Sequence, residues 1–127
     1  MKDFRKLKVW EKAHRLTVDV YRASARFPRS ELFGLTSQIR RAAASVPSNI
    51  AEGCGRRTDA ELARFSEIAM GSASELEYQL LLAADLEYLN ERDSPGLSTD
   101  VIEVKRMLGG LIRELSQPGR RTVRAPG

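Results

Sequence analysis

The stretch 59–89 constrains the fold of this chain more than any other. Along it Leu62, Phe65, Ala69, Ser72, Leu76, Leu80 and Ala83 recur at spacings of three and four, the period of one helix face. About 30 residues at 1.5 Å each make a rod of roughly 45 Å. Thr58-Asp59-Ala60-Glu61 reads as its capping box, with Thr58 as cap. Tyr78, Leu81, Leu82, Asp85, Tyr88 and Leu89 lie elsewhere on the circumference. Burying Leu80, Leu81 and Leu82 together needs partners on more than one side. A single bundle supplies one side, so a subunit contact is expected along this helix.

Three further segments carry the same period. Over 9–27, Trp10, Ala13, Thr17, Val20, Ser24 and Phe27 form a stripe that closes before Pro28, because proline disfavours helical geometry in the residue before it. Phe4 and Leu7 extend the spacing into the N-terminal arm. Over 35–52, Leu35, Ile39, Ala42, Val46, Asn49 and Ile50 share a face. Pro47 predicts a kink there, and Gly53 and Gly55 suit the helix end. Residues 90–96 read as a turn-rich linker around Asp93-Ser94-Pro95-Gly96. Over 99–115, Val101, Val104, Leu108, Leu111 and Leu115 repeat at spacings of three and four. Strong helical periods and short connections predict an all-α, antiparallel up-and-down four-helix bundle over 1–117, with a long third helix. Residues 118–127, short, basic and rich in Pro and Gly, read as a disordered tail.

Charge is unevenly spread. Residues 1–30 carry nine Lys/Arg against three Asp/Glu, whereas residues 58–97 carry two against nine. Such separation suggests a basic binding face or charge-complementary contacts between subunits. A chain of 127 residues can bury one apolar core without disulfides or metal. Its one cysteine, Cys54, cannot form an internal bridge, and the charged N-terminus has no apolar signal region. No apolar run approaches the ~20 residues that cross a bilayer. A cytoplasmic protein without membrane contact is expected.

The motifs of catalysis and cofactor binding do not assemble. His14 is the only histidine, so a zinc site in one chain would need carboxylates, and a Ser-His-Asp site would have to use a histidine inside an ordinary helix. Gly53-x-Gly55 lacks the rest of either phosphate-binding fingerprint. No metal, cofactor or enzymatic activity is expected. Cys54 reads as a spectator thiol, although Arg56 and Arg57 stand close by in sequence.

Basic residues remain as the candidate site. Arg40 and Arg41 are adjacent, so they point about 100° apart on a helix and at most one faces the interior. Arg56 and Arg57 follow a helix end. Lys8, Lys12 and Arg15 share one face at i, i+4 and i+7. These seven could contact phosphates, with little sequence reading because no stacking aromatics are interleaved with them along the chain. The alternative is a solvated, solubilising face. Asn49, Glu52 and Glu75 are the candidate structural polar residues. A packed carboxylate needs a partner, so Glu52 or Glu75 is expected to pair with Arg40 or Arg41.

Residues 34–43 lead into Ser45-Val46-Pro47-Ser48-Asn49-Ile50-Ala51-Glu52-Gly53, with Phe65, Ile68-Ala69-Met70-Gly71-Ser72 and Glu75-Leu76 following. Over 4–89 this resembles the bacterial four-helix-bundle family encoded in 23S ribosomal RNA intervening sequences, also called the S23 ribosomal protein family. The resemblance implies a ring-like homopentamer and no enzymatic activity. It also implies kinship with the accessory protein of diversity-generating retroelements, a basic barrel that binds nucleic acid and a reverse transcriptase. Together these readings lead to a homo-oligomeric bundle that binds RNA or DNA through a basic surface. The alternative is a protein-interaction scaffold, for example for a nucleic-acid-processing protein.

Overall fold

The computed structural model describes residues 2–117, and the tail expected over 118–127 lies outside them. Four helices account for the described fold: α1 Lys8–Ser24, α2 Leu35–Cys54, α3 Asp59–Asp85 and α4 Ser94–Leu115. Short 3-10 turns at Phe4–Lys6 and Arg29–Glu31 precede α1 and α2, and no strand occurs among the described residues. Each helix packs on its neighbour in sequence, and α1 closes against α4. This is the up-and-down bundle that the periodicity predicts.

The core is aliphatic. Ile39, Ile50, Leu76, Leu108, Val20, Val46, Val101 and Val104 are its largest fully buried side chains. On α1 the buried stripe is Val9, Ala13, Leu16, Val20 and Ala23, turned from the expected one so that Trp10 and Thr17 flank it. Phe27 lies beyond the end of α1 but stays buried, its ring 5.6 Å from that of Tyr88.

Pro47 sits inside α2, which remains one helix through it. Proline has no N–H for the carbonyl one turn back. That carbonyl belongs to Ala43, and Thr17 of α1 reaches it: the one hydroxyl proton of Thr17 is shared between the Ala43 oxygen at 3.0 Å and the Ala13 oxygen at 2.8 Å. A defect in one helix is thus met by its neighbour. Farther along α2, a Cβ on Gly53 would lie 2.9 Å from both Leu62 Cδ1 and Phe65 Cβ. The missing side chain is what lets α2 approach the start of α3 so closely.

Besides the early stop of α1 at Ser24, two helix ends differ from expectation. The third helix stops at Asp85 and not at Leu89. Glu87 adopts φ 63°, and the Tyr88 N–H returns 2.9 Å to the Ala83 carbonyl. This is a Schellman-type closure, built on a residue for which left-handed backbone costs about 1 kcal/mol. It turns Leu89 back into the core, so its apolar spacing looks helical although its backbone is not. The fourth helix starts at Ser94, inside the expected linker. Pro95 falls in the first turn, where an N–H has no partner to lose. Asn90 Oδ1 accepts from the Asp93 N–H at 2.7 Å and leads the chain into that turn.

Candidate nucleic-acid interface

The four arginines of α2 and its C-terminal turn do not form one patch. Arg40 and Arg56 are 16 positions apart, roughly 24 Å along a helix. Arg40 is committed to structure. Its Nε donates to Ser24 Oγ at 2.7 Å, its Nη2 donates to the Tyr21 carbonyl at 3.1 Å, and its guanidinium lies 4.9 Å from the Tyr21 ring centre. It thereby closes the C-terminal turn of α1, where the helix dipole favours a cation. Arg41 points to solvent and makes no hydrogen bond or ion pair among the described residues.

The expected link between these arginines and Glu52 or Glu75 does not form. Both carboxylates are exposed. Glu52 pairs with Arg56 at 3.0 Å, one turn on along the same surface, and Glu75 accepts from Gln79 Nε2 at 3.3 Å. A local i,i+4 partner removes the need for a buried long-range one. Asn49 does have a structural role: its Nδ2 donates to the Ser45 carbonyl at 2.8 Å and to Ser45 Oγ at 3.0 Å. Ser45 Oγ in turn lies 2.8 Å from Ser72 Oγ, joining α2 to α3.

Lys8, Lys12 and Arg15 face a groove between α1 and α4 that also holds Asp19, Asp100 and Glu103. Lys12 lies 3.6 Å from Asp100, and Arg15 pairs with Glu11 at 3.2 Å. Only Lys8 of the three has no ion pair among the described residues. The face is therefore mixed in charge.

Positive charge gathers at one end of the bundle, with Arg5 paired to Asp3 at 3.5 Å and Arg56 to Glu52. The Lys2 N–H donates to the Cys54 carbonyl at 2.8 Å, and the Phe4 ring packs edge-on against Trp10 at 4.8 Å. These contacts dock the N-terminal arm against the C-terminus of α2. Lys2, Arg5 and Lys6 thereby lie at the same end of the bundle as Arg56 and Arg57. Arg56 lies 5.0 Å and Arg64 4.5 Å from the Phe65 ring centre. Lys6 and Arg57 are exposed and make no ion pair among the described residues. The sequence counts Lys6 among the charges at the start of the chain, and the docked arm is what sets it at the same end as Arg57.

One feature escapes sequence reasoning. Beside Arg40 and Arg41, an open groove is lined by Tyr21, Leu32, Phe33 and Ser37. Phe33 is 92% exposed and Leu32 50%. Aromatic rings do flank these arginines, then, but in space and not along the chain. The only sequence signal is an apolar pair, Leu32-Phe33, in a loop with no helical period to bury it.

Nothing in the geometry points to catalysis. Burial pushes the Cys54 thiol above its ordinary value, against a smaller opposing effect of Lys2. His14 stacks on Trp10 with ring centres 5.0 Å apart. Among the described residues, no group of His, Cys, Asp and Glu could hold a metal ion, and no helix is long and apolar enough to cross a membrane.

Comparison with family models matches residues 5–110 to the 23S rRNA-intervening sequence protein family. The chain belongs to that family. All seven basic candidates fall inside the matched range. Comparison with curated proteins gives no match. Among solved structures, the chain is similar to a protein of unknown function from the S23 ribosomal protein family of Bacteroides thetaiotaomicron. The two share 24% identity and a TM-score of 0.76, over 83% of this chain and 95% of that one. At that identity the likeness speaks for the fold of this intervening-sequence family member and for nothing finer.

Proposed function

We propose that this chain is a non-enzymatic, self-associating helical bundle of the cytoplasm that binds RNA or DNA without reading its sequence. The observation that supports the reading is the basic end, where the docked arm sets Lys6 at the same end of the bundle as Arg56 and Arg57. Lys6 and Arg57 have no carboxylate to release before meeting phosphate. Lysine and arginine without base-stacking partners contact the backbone and fix position but not sequence. The family resemblance makes a homopentamer the expected assembly, and a ring of chains would repeat the basic end around its rim.

The test is fluorescence anisotropy with a labelled structured RNA from low to moderate salt, using the native chain and a Lys6→Glu/Arg57→Glu variant. Removing one cation from its phosphate flattens the plot of log affinity against log salt by about 0.7–0.9. The double variant should therefore lose roughly 1.4–1.8 from the slope while keeping its helical circular dichroism. Absence of binding at low salt overturns the reading. The function then passes to a protein scaffold, such as an accessory subunit of a nucleic-acid-processing protein, which the exposed Phe33, Tyr78 and Leu81 favour.

A further inference from the structure

We propose that the groove beside Phe33 is a stacking site for the bases of an unpaired nucleic-acid strand. The inference rests on the nucleic-acid reading above and adds a second place of contact. The basic end takes phosphates, and this groove takes bases.

The groove lies along α2, from Phe33 in the loop before it to Ser48, with Tyr21 of α1 on its border. Ser37, Arg41, Ala44 and Ser48 follow one another at spacings of three and four, so they form one face of the helix. Three of these four are small, which lets a flat group come close to the helix. The groove has a volume of about 710 Å³, within the range of pockets that hold a small organic group.

Its rings are open to a ligand. Phe33 is 92% exposed and Tyr21 44%. In a duplex each base is covered by its neighbours in the stack, so an unpaired strand is what can lay a base on Phe33. Its cations are not answered by acids. Arg41 has no ion pair among the described residues. Arg40 is held by a hydroxyl, a carbonyl and the Tyr21 ring. No carboxylate lines this groove among the described residues. The groove between α1 and α4 is the contrast, since Lys12 there meets Asp100 and Arg15 meets Glu11. Exposed rings beside unmatched guanidinium groups suit a strand that carries a π face and a phosphate on every unit.

The loop that presents Phe33 is also clamped. Glu31 Oε1 accepts from the Leu35 N–H at 3.0 Å, and Tyr88 Oη donates to Glu31 Oε2 at 3.0 Å. The carboxylate passes so close over Gly34 that a Cβ there would lie 2.7 Å from Glu31 Oε1. Both oxygens of Glu31 are thereby engaged within the chain, and Phe33 is held outward by a loop tied to α2 and to Tyr88. A platform fixed in this way has little ordering entropy left to lose when a base settles on it. The rest of the floor is polar, with the Ser37 and Ser48 hydroxyls beside Arg41. That fits a base and its phosphate better than it fits an apolar helix of a protein partner.

The experiment is fluorescence anisotropy with a labelled uridine RNA strand of about twelve nucleotides, a length within the range of single-strand sites, against a duplex of the same length. The chains are the native one, Phe33→Ala, Phe33→Leu and Phe33→Trp, with circular dichroism and light scattering as checks on folding and mass. Position 33 is exposed, so none of these changes enters the core. Phe33→Ala should bind the single strand about 5- to 150-fold more weakly, the range for loss of one stacked base, with duplex binding unchanged. Its salt dependence should keep the native slope, because phenylalanine displaces no counterion. Phe33→Trp should restore the affinity and Phe33→Leu should not, because leucine is apolar but has no ring. The same loss with a deoxythymidine strand extends the site to DNA, and loss with RNA alone confines it to RNA; both support it. Native affinity in Phe33→Ala or in Phe33→Leu overturns the inference and leaves the basic end standing. Absence of binding to either probe by the native chain at low salt overturns this inference and the nucleic-acid reading together. A particle mass that changes in Phe33→Ala assigns the ring to a protein contact and overturns the stacking site.

Discussion

The two halves of α2 on either side of Pro47 carry the same sequence device, a pair of adjacent arginines at or just past a helix face, and put it to different use. Before Pro47, Arg40 is held by Ser24, the Tyr21 carbonyl and the Tyr21 ring, and so belongs to the joint between α1 and α2. After Pro47, what holds the helix is the bare approach of Gly53 to Leu62 and Phe65, and Arg56 and Arg57 lie outside it. One arginine pair is half structural and the other is on the surface. A count of positive charges cannot separate these cases; partners can.

The contrast between the halves is tested most sharply at Gly53. Gly53→Ala removes a flexible residue from a helix, which alone would stabilise by about 1 kcal/mol. A Cβ 2.9 Å from Leu62 Cδ1 and Phe65 Cβ, and 3.3 Å from Leu62 Cα, must instead push α3 away. Overpacking of this kind costs typically about 1–3 kcal/mol, so a net loss of up to about 2 kcal/mol in urea unfolding is expected. An unchanged midpoint would mean that the two helices part easily and that glycine is not what joins them.

Arg40→Ala comes next. It strips two charge-assisted hydrogen bonds and a ring contact from the end of α1, and the half-exposed setting discounts their value to about 1.5 kcal/mol in all. Arg41→Ala should stay within about 0.5 kcal/mol of the native chain, as surface changes do. Equal losses from the two variants would erase the distinction between neighbours. Thr17→Val tests the point between the halves. It keeps shape and removes the hydroxyl that serves the Ala43 carbonyl. Leaving that carbonyl without a donor should cost about 1 kcal/mol. A neutral result would show that the carbonyl finds water or another donor.

The fold is legible in the sequence because its signals are repeated. Three- and four-residue spacing recurs in four segments, and Thr58 accepts from the Glu61 N–H at 3.1 Å as the capping box requires. Helix ends are less legible, since Glu87 reverses the chain without the glycine that usually marks such a turn. Leu89 keeps the apolar spacing of a helix that has already ended. The site is legible in residue types and not in their partners. Arg40 meets Tyr21 and Ser24 across 16 to 19 positions, which no local pattern announces. The pairing of Glu52 with Arg56 is visible as an i,i+4 spacing, and the expected long-range pairing with Arg40 or Arg41 is wrong because that local partner is nearer. Phe33 carries no signal beyond its place in a loop, because exposure is a property of what surrounds a residue.

The smallest expected effect separates Arg56 from Arg57. Arg56 has Glu52 at 3.0 Å and the Phe65 ring centre at 5.0 Å, so part of its charge is already answered within the chain. Breaking an exposed i,i+4 pair changes stability by about 0.3–0.5 kcal/mol, and Arg56→Gln should do no more than that. Its effect on RNA binding should also be the lesser. To reach a phosphate, Arg56 must first give up Glu52, whereas Arg57 gives up only water. Arg57→Gln should therefore flatten the salt dependence by close to one full phosphate, about 0.7–0.9 in slope, and Arg56→Gln by a fraction of that. Equal slopes for the two would mean that the Glu52 pair opens freely in solution, and that the basic end has one more available cation than the geometry assigns to it.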